Sequence, residues 1–273
     1  MKQLSLDCDP ELLQPGDIVH IETPLNPTGY AYNIADFAKM AHSRGAFLTV
    51  DATFAPPPLQ DPFAWGADIV MHSGTKYFGG HSDMLCGVLV VNPALEQAKK
   101  WEAQLRDDRL FMGTVMGSME GWLGVRSLRT LEVRLERQVK NTAALVSWLD
   151  GAVNSSATSI TKRVVDHVEH TSLQKEDIED GWLLKQMPNG FGPVFSIVMK
   201  TQEMARRLPS HLRLFHHATS LGGVESLIEW RCMSDTQVDK RLMRVSVGIE
   251  SWEDLKADLE QAFEKLAKEL PQE

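Results

Sequence analysis

Lys76 follows a run that should be buried. Ala67-Asp68-Ile69-Val70-Met71 reads as an apolar strand, and His72-Ser73-Gly74-Thr75-Lys76-Tyr77 comes directly after it. A lysine at the carboxyl end of a buried strand is costly to place unless something uses its amine. The hydroxyls of Ser73 and Thr75 flank it, where a phosphate group would need donors. A lysine beside a phosphate site at one strand end suggests a Schiff base with pyridoxal 5′-phosphate, PLP. The ordinary alternative is an exposed Ser-Gly-Thr-Lys turn, since short motifs also arise by chance.

Two other positions fit the same chemistry. A PLP electron sink works best with its pyridine nitrogen protonated, and a carboxylate such as Asp51 can hold that proton. The phenolate oxygen of the ring needs a neutral donor, and the Asn26 amide is one. Each residue also has a plain structural reading. Asn26-Pro27 suits a turn, and Asp51 before Ala52-Thr53 suits a loop or a helix cap.

The elements around these residues bring them together. Asp17-Ile18-Val19-His20-Ile21-Glu22 reads as a strand running into Thr23-Pro24-Leu25-Asn26. Residues 33–44 read as an amphipathic helix with Ile34, Phe37, Ala38 and Ala41 on one face, Asn33 as N-cap and Gly45 as stop. A second strand, Ala46 to Val50, ends at Asp51. A short helical stretch from Asp61 to Trp65 stops at Gly66, and the third strand ends at Ser73. This alternation predicts parallel strands with helical crossovers, an α/β fold. Ligands of such sheets bind outside the carboxyl ends of the strands. Asn26, Asp51 and Lys76 all fall there.

Four separated segments carry a family resemblance. They are Glu22-Thr23-Pro24-Leu25-Asn26-Pro27, Val50-Asp51-Ala52-Thr53-Phe54, the run from His72 to Asp83, and Ser220-Leu221-Gly222-Gly223-Val224-Glu225-Ser226-Leu227 with Arg244-Val245-Ser246-Val247-Gly248 beyond it. Together they resemble the Cys/Met-metabolism PLP enzymes, the trans-sulfuration family of cystathionine synthases and lyases. The resemblance implies an aspartate-aminotransferase-like (fold type I) large domain plus a smaller α+β domain. It implies Lys76 as the Schiff-base lysine, Asp51 as the pyridinium partner and Asn26 on the phenolate oxygen. Ser73 and Thr75 would hold the phosphate, and Thr53 would lie near the ring. Arg244 would clamp the substrate α-carboxylate, for which a rigid guanidinium fork is suited, and Ser220 and Glu225 would lie near the substrate. Without the resemblance, Arg244 reads as a surface arginine at the start of a strand.

Composition narrows the class. With 273 residues there is room for roughly two domains of the usual ~100–200 residues. Residues 1–130 are expected to be the C-terminal part of the PLP-binding large domain, and 131–273 the small domain. A net charge of −9 makes nucleic acid an unsuitable partner. No apolar stretch approaches membrane-span length, and Met1 to Asp7 shows no apolar leader. Cys8, Cys86 and Cys232 are scattered without a CxxC pair, which fits reduced thiols in a cytoplasm. The histidine pairs His167/His170 and His216/His217 read as solvated or packing residues, with no metal implied. The expected partners are a small amino-acid substrate and further copies of the chain as a homo-oligomer.

Further along, Cys86 to Val91 reads as a strand and Pro93 to Arg106 as a helix with Pro93 in its first turn. One long helix is predicted over residues 118–149. Leu123, Leu128, Leu131, Leu135, Val139 and Leu145 form its apolar stripe, and Gly151 is its stop. Residues 154–159 and 174–180 read as polar loops. Strands follow at 194–199, 212–218, 226–230 and 243–249, and a helix runs from Trp252 to about Leu270.

The resemblance also sets expectations of absence. The family's large domain begins upstream of this segment, with an N-terminal arm, a Gly-rich phosphate loop and a tyrosine that stacks on the cofactor. None of Tyr30, Tyr32 and Tyr77 matches that tyrosine. A truncated chain, poorly active alone and prone to associate, is the expectation. Trp230-Arg231-Cys232-Met233 replaces the usual proline-containing continuation, so substrate choice is open there. Leu221 stands where bacterial β-lyases of the family carry tryptophan, which tilts the reading towards γ-chemistry. Two alternatives stay open: an aminotransferase of the same fold, because Asn26-Pro27-Thr28-Gly29 also suits those enzymes, and a non-catalytic, partner-binding remnant.

Overall fold

The computed structural model describes residues 3–270. Met1 and Lys2, which open the segment read for a leader, and residues 271–273, the end of the expected second domain, lie outside the described residues.

Among the described residues two sheets organise the chain, of four and five strands. The first is built from β1 (Ile18–Glu22), α1 (Ile34–Ser43), β2 (Phe47–Asp51), β3 (Ile69–Ser73) and β4 (Gly87–Val91). Alternation sets the faces: Val19 and Ile21 of β1, Leu48 and Val50 of β2, and Val70 of β3 turn inward and pack on Ile34, Ala38 and Ala41 of α1. The Asn33 side chain accepts from the Ala35 amide and starts α1 as the sequence predicts. Gly66, with φ +95°, ends the short 3-10 turn Pro62–Trp65. A Cβ there would stand 2.8 Å from the Ala38 Cβ, so the turn can pack this closely on α1 only as glycine.

β1, β2 and β3 are parallel, but β4 joins β3 antiparallel, a departure from the all-parallel pattern of the sequence. The register pairs Glu22 with Asp51 and Asp51 with Met71. That places the three carboxyl ends side by side.

The next helices differ from expectation. Asn92 accepts from the Ala94 and Leu95 amides and makes a turn, so Pro93 lies before the helix and α2 runs over Ala98–Phe111. The predicted long helix is two, α3 (Ser118–Leu128) and α4 (Leu131–Asn154). The break is held by Arg134. Its Nη2 donates to Ser127 O at 3.0 Å, its Nε to Thr130 Oγ1 at 3.1 Å and its Nη1 to Tyr77 O at 2.9 Å. The inward face of α4 is also more polar than read. Gln138 Nε2 donates to Gly223 O and Val247 O, and Asn141 Nδ2 to Gly248 O and Glu250 O. Leu128 of the expected stripe is exposed. Gly151 does not stop α4; the cost of a helical glycine, about 1 kcal/mol, is outweighed by Leu149 and Val153 packing on the core.

Arg134→Met leaves the buried carbonyl of Tyr77 without its donor and takes from Ser127 O one of three donors, the other two being the Thr130 amide and hydroxyl. A stability loss of about 2–4 kcal/mol is expected in urea unfolding, from one desolvated acceptor and a lost charge-assisted network.

The remaining chain forms α5 (Ile160–Val164), β5 (Val165–Glu169), α6 (Lys175–Glu179), α7 (Trp182–Gln186), β6 (Val194–Met199), α8 (Gln202–His211), β7 (His216–His217), β8 (Leu227–Trp230), β9 (Leu242–Ser246) and α9 (Trp252–Glu269). The sheet order is β5-β6-β9-β8-β7. The sequence reading missed β5 and took α6 for loop. The strand expected over 212–218 shrinks to His216–His217. The Asp258 carboxylate of α9 captures the amides of Arg213 and Leu214, which a strand would have needed. The core of this part joins Leu145 and Leu149 to Phe195, Ile197 and Val245 and to Leu255, Leu259, Phe263 and Leu266 of α9.

Candidate active site

Asn26, Asp51, Ser73, Thr75 and Lys76 lie at or just past the carboxyl ends of β1, β2 and β3. Backbone bonds hold Lys76 in a tight turn: its amide donates to Ser73 O at 3.0 Å and its carbonyl accepts from Gly80 N at 2.6 Å. Arg134 fixes the next carbonyl, that of Tyr77. Gly222, with φ +80°, covers the turn. A Cβ there would lie 3.1 Å from the Lys76 Cβ, so this approach needs glycine. The Lys76 amine reaches Ser220 Oγ at 3.4 Å. Burial, then the nearby Arg244, pushes its pKa below the ordinary lysine range.

A chain of hydrogen bonds ties the ends of β2 and β3. Asp51 Oδ1 accepts from Thr53 N at 2.9 Å and Thr53 Oγ1 at 2.6 Å, and Thr53 Oγ1 accepts from Ser73 N at 2.8 Å. Thr75 Oγ1 accepts from Cys86 N at 3.1 Å, which closes the β3–β4 hairpin. The Asp83 side of that hairpin borders a cavity of about 480 Å³ that Thr75 and Ser220 also line. Glu225, expected near the substrate, bonds the Ser82 hydroxyl at this rim.

Arg244 comes from the second sheet. It is buried in the middle of β9, not at a strand start on the surface. Its Nη1 donates to Asn26 Oδ1 at 3.2 Å, which joins the two sheets. Its Nη2 donates to Thr219 O at 2.6 Å and Ser220 O at 3.1 Å and pairs with Glu229 at 2.7 Å.

Sequence reasoning missed Glu229, Glu22 and His72 as parts of this region. Glu229 is only 1% exposed and is the register partner of Arg244 across β8 and β9. The signal was available: each charge interrupts an otherwise apolar strand, and buried charges must pair. His72 is buried, stacks near Phe78 at 4.8 Å and keeps an unpartnered Nδ1; burial pushes its pKa down. Glu22 lies beside Asp51, and burial followed by the Asp51 charge pushes its pKa up to about 7.

A raised carboxyl pKa means the folded state binds more protons than the unfolded one. Stability should therefore fall as pH rises from about 4.5 to about 7. Glu22→Gln is expected to remove that part of the pH dependence, read as melting temperature against pH. An unchanged slope in the variant would place the effect elsewhere.

The atoms left without protein partners among the described residues match the edges of PLP. A carboxylate, an amide N–H and a hydroxyl are what a pyridinium, a phenolate and a phosphate require, and Asp51, Asn26 and Ser73 supply those groups at the strand ends that also carry Lys76. The donor set fits that cofactor. No group of three His, Cys, Asp or Glu side chains among the described residues could hold a metal ion.

The Cys/Met metabolism PLP-dependent enzyme family matches residues 10–264. The chain belongs to this family. A cystathionine β-lyase of Lactococcus lactis subsp. cremoris (strain MG1363) is 33% identical over 258 residues, 90% of this chain and 63% of its own length. A cystathionine γ-synthase of Escherichia coli (strain K12) is 34% identical, covering 92% of this chain and 64% of its own. Among solved structures, metB from Corynebacterium glutamicum superposes with a TM-score of 0.81 at 34% identity, over 92% of this chain and 63% of that one. Cystathionine γ-synthase from Xanthomonas oryzae pv. oryzae in complex with cystathionine gives 0.80 at 31%, over 93% and 64%. The chain therefore spans a little under two thirds of these family members. Its fold is theirs, a PLP-dependent α/β fold with mixed sheets, and the family is one of PLP enzymes.

Proposed function

We propose that the chain carries the catalytic centre of a PLP-dependent trans-sulfuration enzyme, with elimination or replacement at the γ or β carbon of sulfur amino acids or homoserine esters. One observation carries this reading: the Lys76 amine reaches the hydroxyl of Ser220, and Arg244 holds both the Ser220 carbonyl and the Asn26 side chain, so lysine, amide and guanidinium converge on one site. The similar proteins named above are cystathionine lyases and synthases, which favours this chemistry over amino transfer. Release of thiol or ammonia with no dependence on added keto acid tests it; keto-acid-dependent amino transfer would contradict it.

Each side chain then has a task. Asn26, Asp51, Thr53, Ser73, Thr75 and Lys76 hold the cofactor, with Thr75 sharing its hydroxyl between Cys86 and the phosphate. PLP, when bound, supplies an electron sink for the carbanion formed at the substrate α-carbon. Lys76 moves the α-proton through Nζ, and its lowered pKa leaves more of the amine neutral for that work. Asp51 holds positive charge at the sink. Arg244 grips the substrate α-carboxylate, with Ser220 and Glu225 bordering the substrate. We place the large-domain part at 1–130 and the small domain at 131–273. α4 supports this as a bridge, because Leu135 and Leu145 enter separate apolar clusters.

A homo-oligomer fits the exposed apolar run of Leu110, Phe111, Met112, Met116, Met119 and Trp122. The free thiols of Cys8, Cys86 and Cys232 fit a reducing cytoplasm. Among the described residues no helix is long and apolar enough to cross a membrane.

Arg244→Lys keeps a charge but loses the fork. Substrate affinity is expected to drop about 10–100-fold, the worth of one charge-assisted bidentate contact. PLP affinity should hold, and paired titrations with PLP and an unreactive amino-acid analogue check both. Equal losses would make Arg244 structural.

A further inference from the structure

The connection from β1 to α1 and the corner between α6 and α7 border a second cavity, of about 400 Å³. That volume lies within the ~300–1,000 Å³ of small-molecule sites. Its walls are aromatic: Tyr30, Tyr32, Phe37 and Trp182. Tyr30 and Tyr32 meet edge to face, with ring centroids 5.2 Å apart at 73°, and Tyr32 meets Phe37 at 5.7 Å and 79°. Rings set nearly at right angles form a corner and do not cover one another by stacking. Asp36, Asp177 and Asp180 line the same space, and no lysine or arginine does.

The walls are braced across the chain. Gln174 Oε1 accepts from the Ala31 amide at 2.7 Å, and its Nε2 donates to Ala31 O at 3.1 Å and to Asp177 Oδ2 at 2.7 Å. Trp182 Nε1 donates to Asp177 Oδ1 at 3.1 Å. Asp177 thus spends both oxygens on the frame. Asp36 and Asp180 do not: among the described residues neither side chain has a hydrogen bond or an ion pair. The Ile34 and Ala35 amides that open α1 are taken by Gln186 and Asn33, and Asp36 stands in its first turn, so this helix end does not favour an anion. Burial, then the Asp177 charge, raises the Tyr30 pKa, so the ring stays a neutral phenol.

We propose that this cavity binds a small guanidinium compound between its aromatic walls and the free carboxylates of Asp36 and Asp180. A delocalised, weakly hydrated cation lies favourably on aromatic faces, and its planar N–H fork suits carboxylate oxygens that have no other partner. The rings alone would also suit a quaternary ammonium, but that ion has no N–H for the two carboxylates. An anion would meet three negative charges. None of the lining residues belongs to the cavity at Thr75 and Ser220, so the site is independent of the catalytic reading.

The test is calorimetric titration of the full 273-residue chain with three probes: N-acetylarginine methylamide, its uncharged isostere N-acetylcitrulline methylamide, and N-acetyl-trimethyllysine methylamide. None carries a primary amine, so none forms a Schiff base with PLP. The arginine probe is expected to bind about tenfold more tightly than the citrulline probe, the combined worth of a cation–π contact and an exposed ion pair. The trimethyllysine probe, which lacks the fork, should bind about threefold more weakly than the arginine probe. Asp36→Asn combined with Asp180→Asn should cut the arginine preference to about threefold, the share left to the rings, and Tyr30→Ala should weaken the arginine probe by about threefold. These three side chains are exposed, and melting temperatures check the folds. If the double variant is unstable, Asp180→Asn alone, in an exposed turn, should still lower the preference. Equal binding of the arginine and citrulline probes would overturn the proposal. So would a preference unchanged in the aspartate variants, because the cation would then bind elsewhere. Trimethyllysine binding as tight as arginine would overturn the guanidinium assignment in favour of a quaternary ammonium.

Discussion

Lys76→Ala is expected to lose turnover by about 10⁴-fold, the upper end for a group that moves a proton in the rate-determining step. Covalent retention of PLP should be lost with it. The fold should survive, because the turn at this position is held by the Lys76 amide and carbonyl, by Arg134 on Tyr77 and by Gly222. None of these needs the side chain beyond Cβ. A melting temperature close to that of the parent chain checks this. A small primary amine added to the variant should restore part of the activity, since it can replace the missing proton carrier. Collapse of the fold, or activity within tenfold of the parent, would contradict the role given to Lys76.

Asp51→Asn should lower kcat by about 10²–10³-fold, in the range seen when one preorganised electrostatic group is removed. The change keeps volume, and an amide oxygen can still accept from Thr53 N and Thr53 Oγ1, so the link to Ser73 should persist. What goes is the charge that holds a proton on the cofactor ring. A second readout follows from the register. Burial is the main reason that the Glu22 pKa stands near 7, and the Asp51 charge is the next. Removing that charge should shift the Glu22 titration towards lower pH without returning it to 4.5. Near-normal turnover would show that another group holds the proton.

How much of this was legible depends on the kind of signal. Period-2 burial, an Asx cap and glycine stops placed β1, α1, β2 and β3 within a residue or two, because these devices act locally. The strand-end rule then brought Asn26, Asp51 and Lys76 to one edge. The errors came from side chains acting at a distance. Arg134 breaks the helix predicted over 118–149 by serving Ser127 and Tyr77. Asp258 takes the amides that a strand at 212–218 would have used. Neither partner is near in sequence, so no local pattern announces it. Arg244 was named by resemblance, while Glu229, its register partner, was overlooked among apolar neighbours. The antiparallel β4 follows from a connection over residues 74–86 that returns the chain along β3 without a crossover helix, which sequence alternation does not reveal.

The central assignment is that Lys76 is the amine that carries PLP. Incubation of the chain with PLP, reduction with sodium borohydride and peptide mapping by mass spectrometry test it most directly. Lys76 lies in a half-buried site where its amine reaches the Ser220 hydroxyl and its pKa is pushed below the ordinary lysine range. The predicted result is a reduced pyridoxyl group on the peptide that contains Lys76, and on no other, at substoichiometric PLP. A label on another lysine, or a chain that takes none, would contradict it.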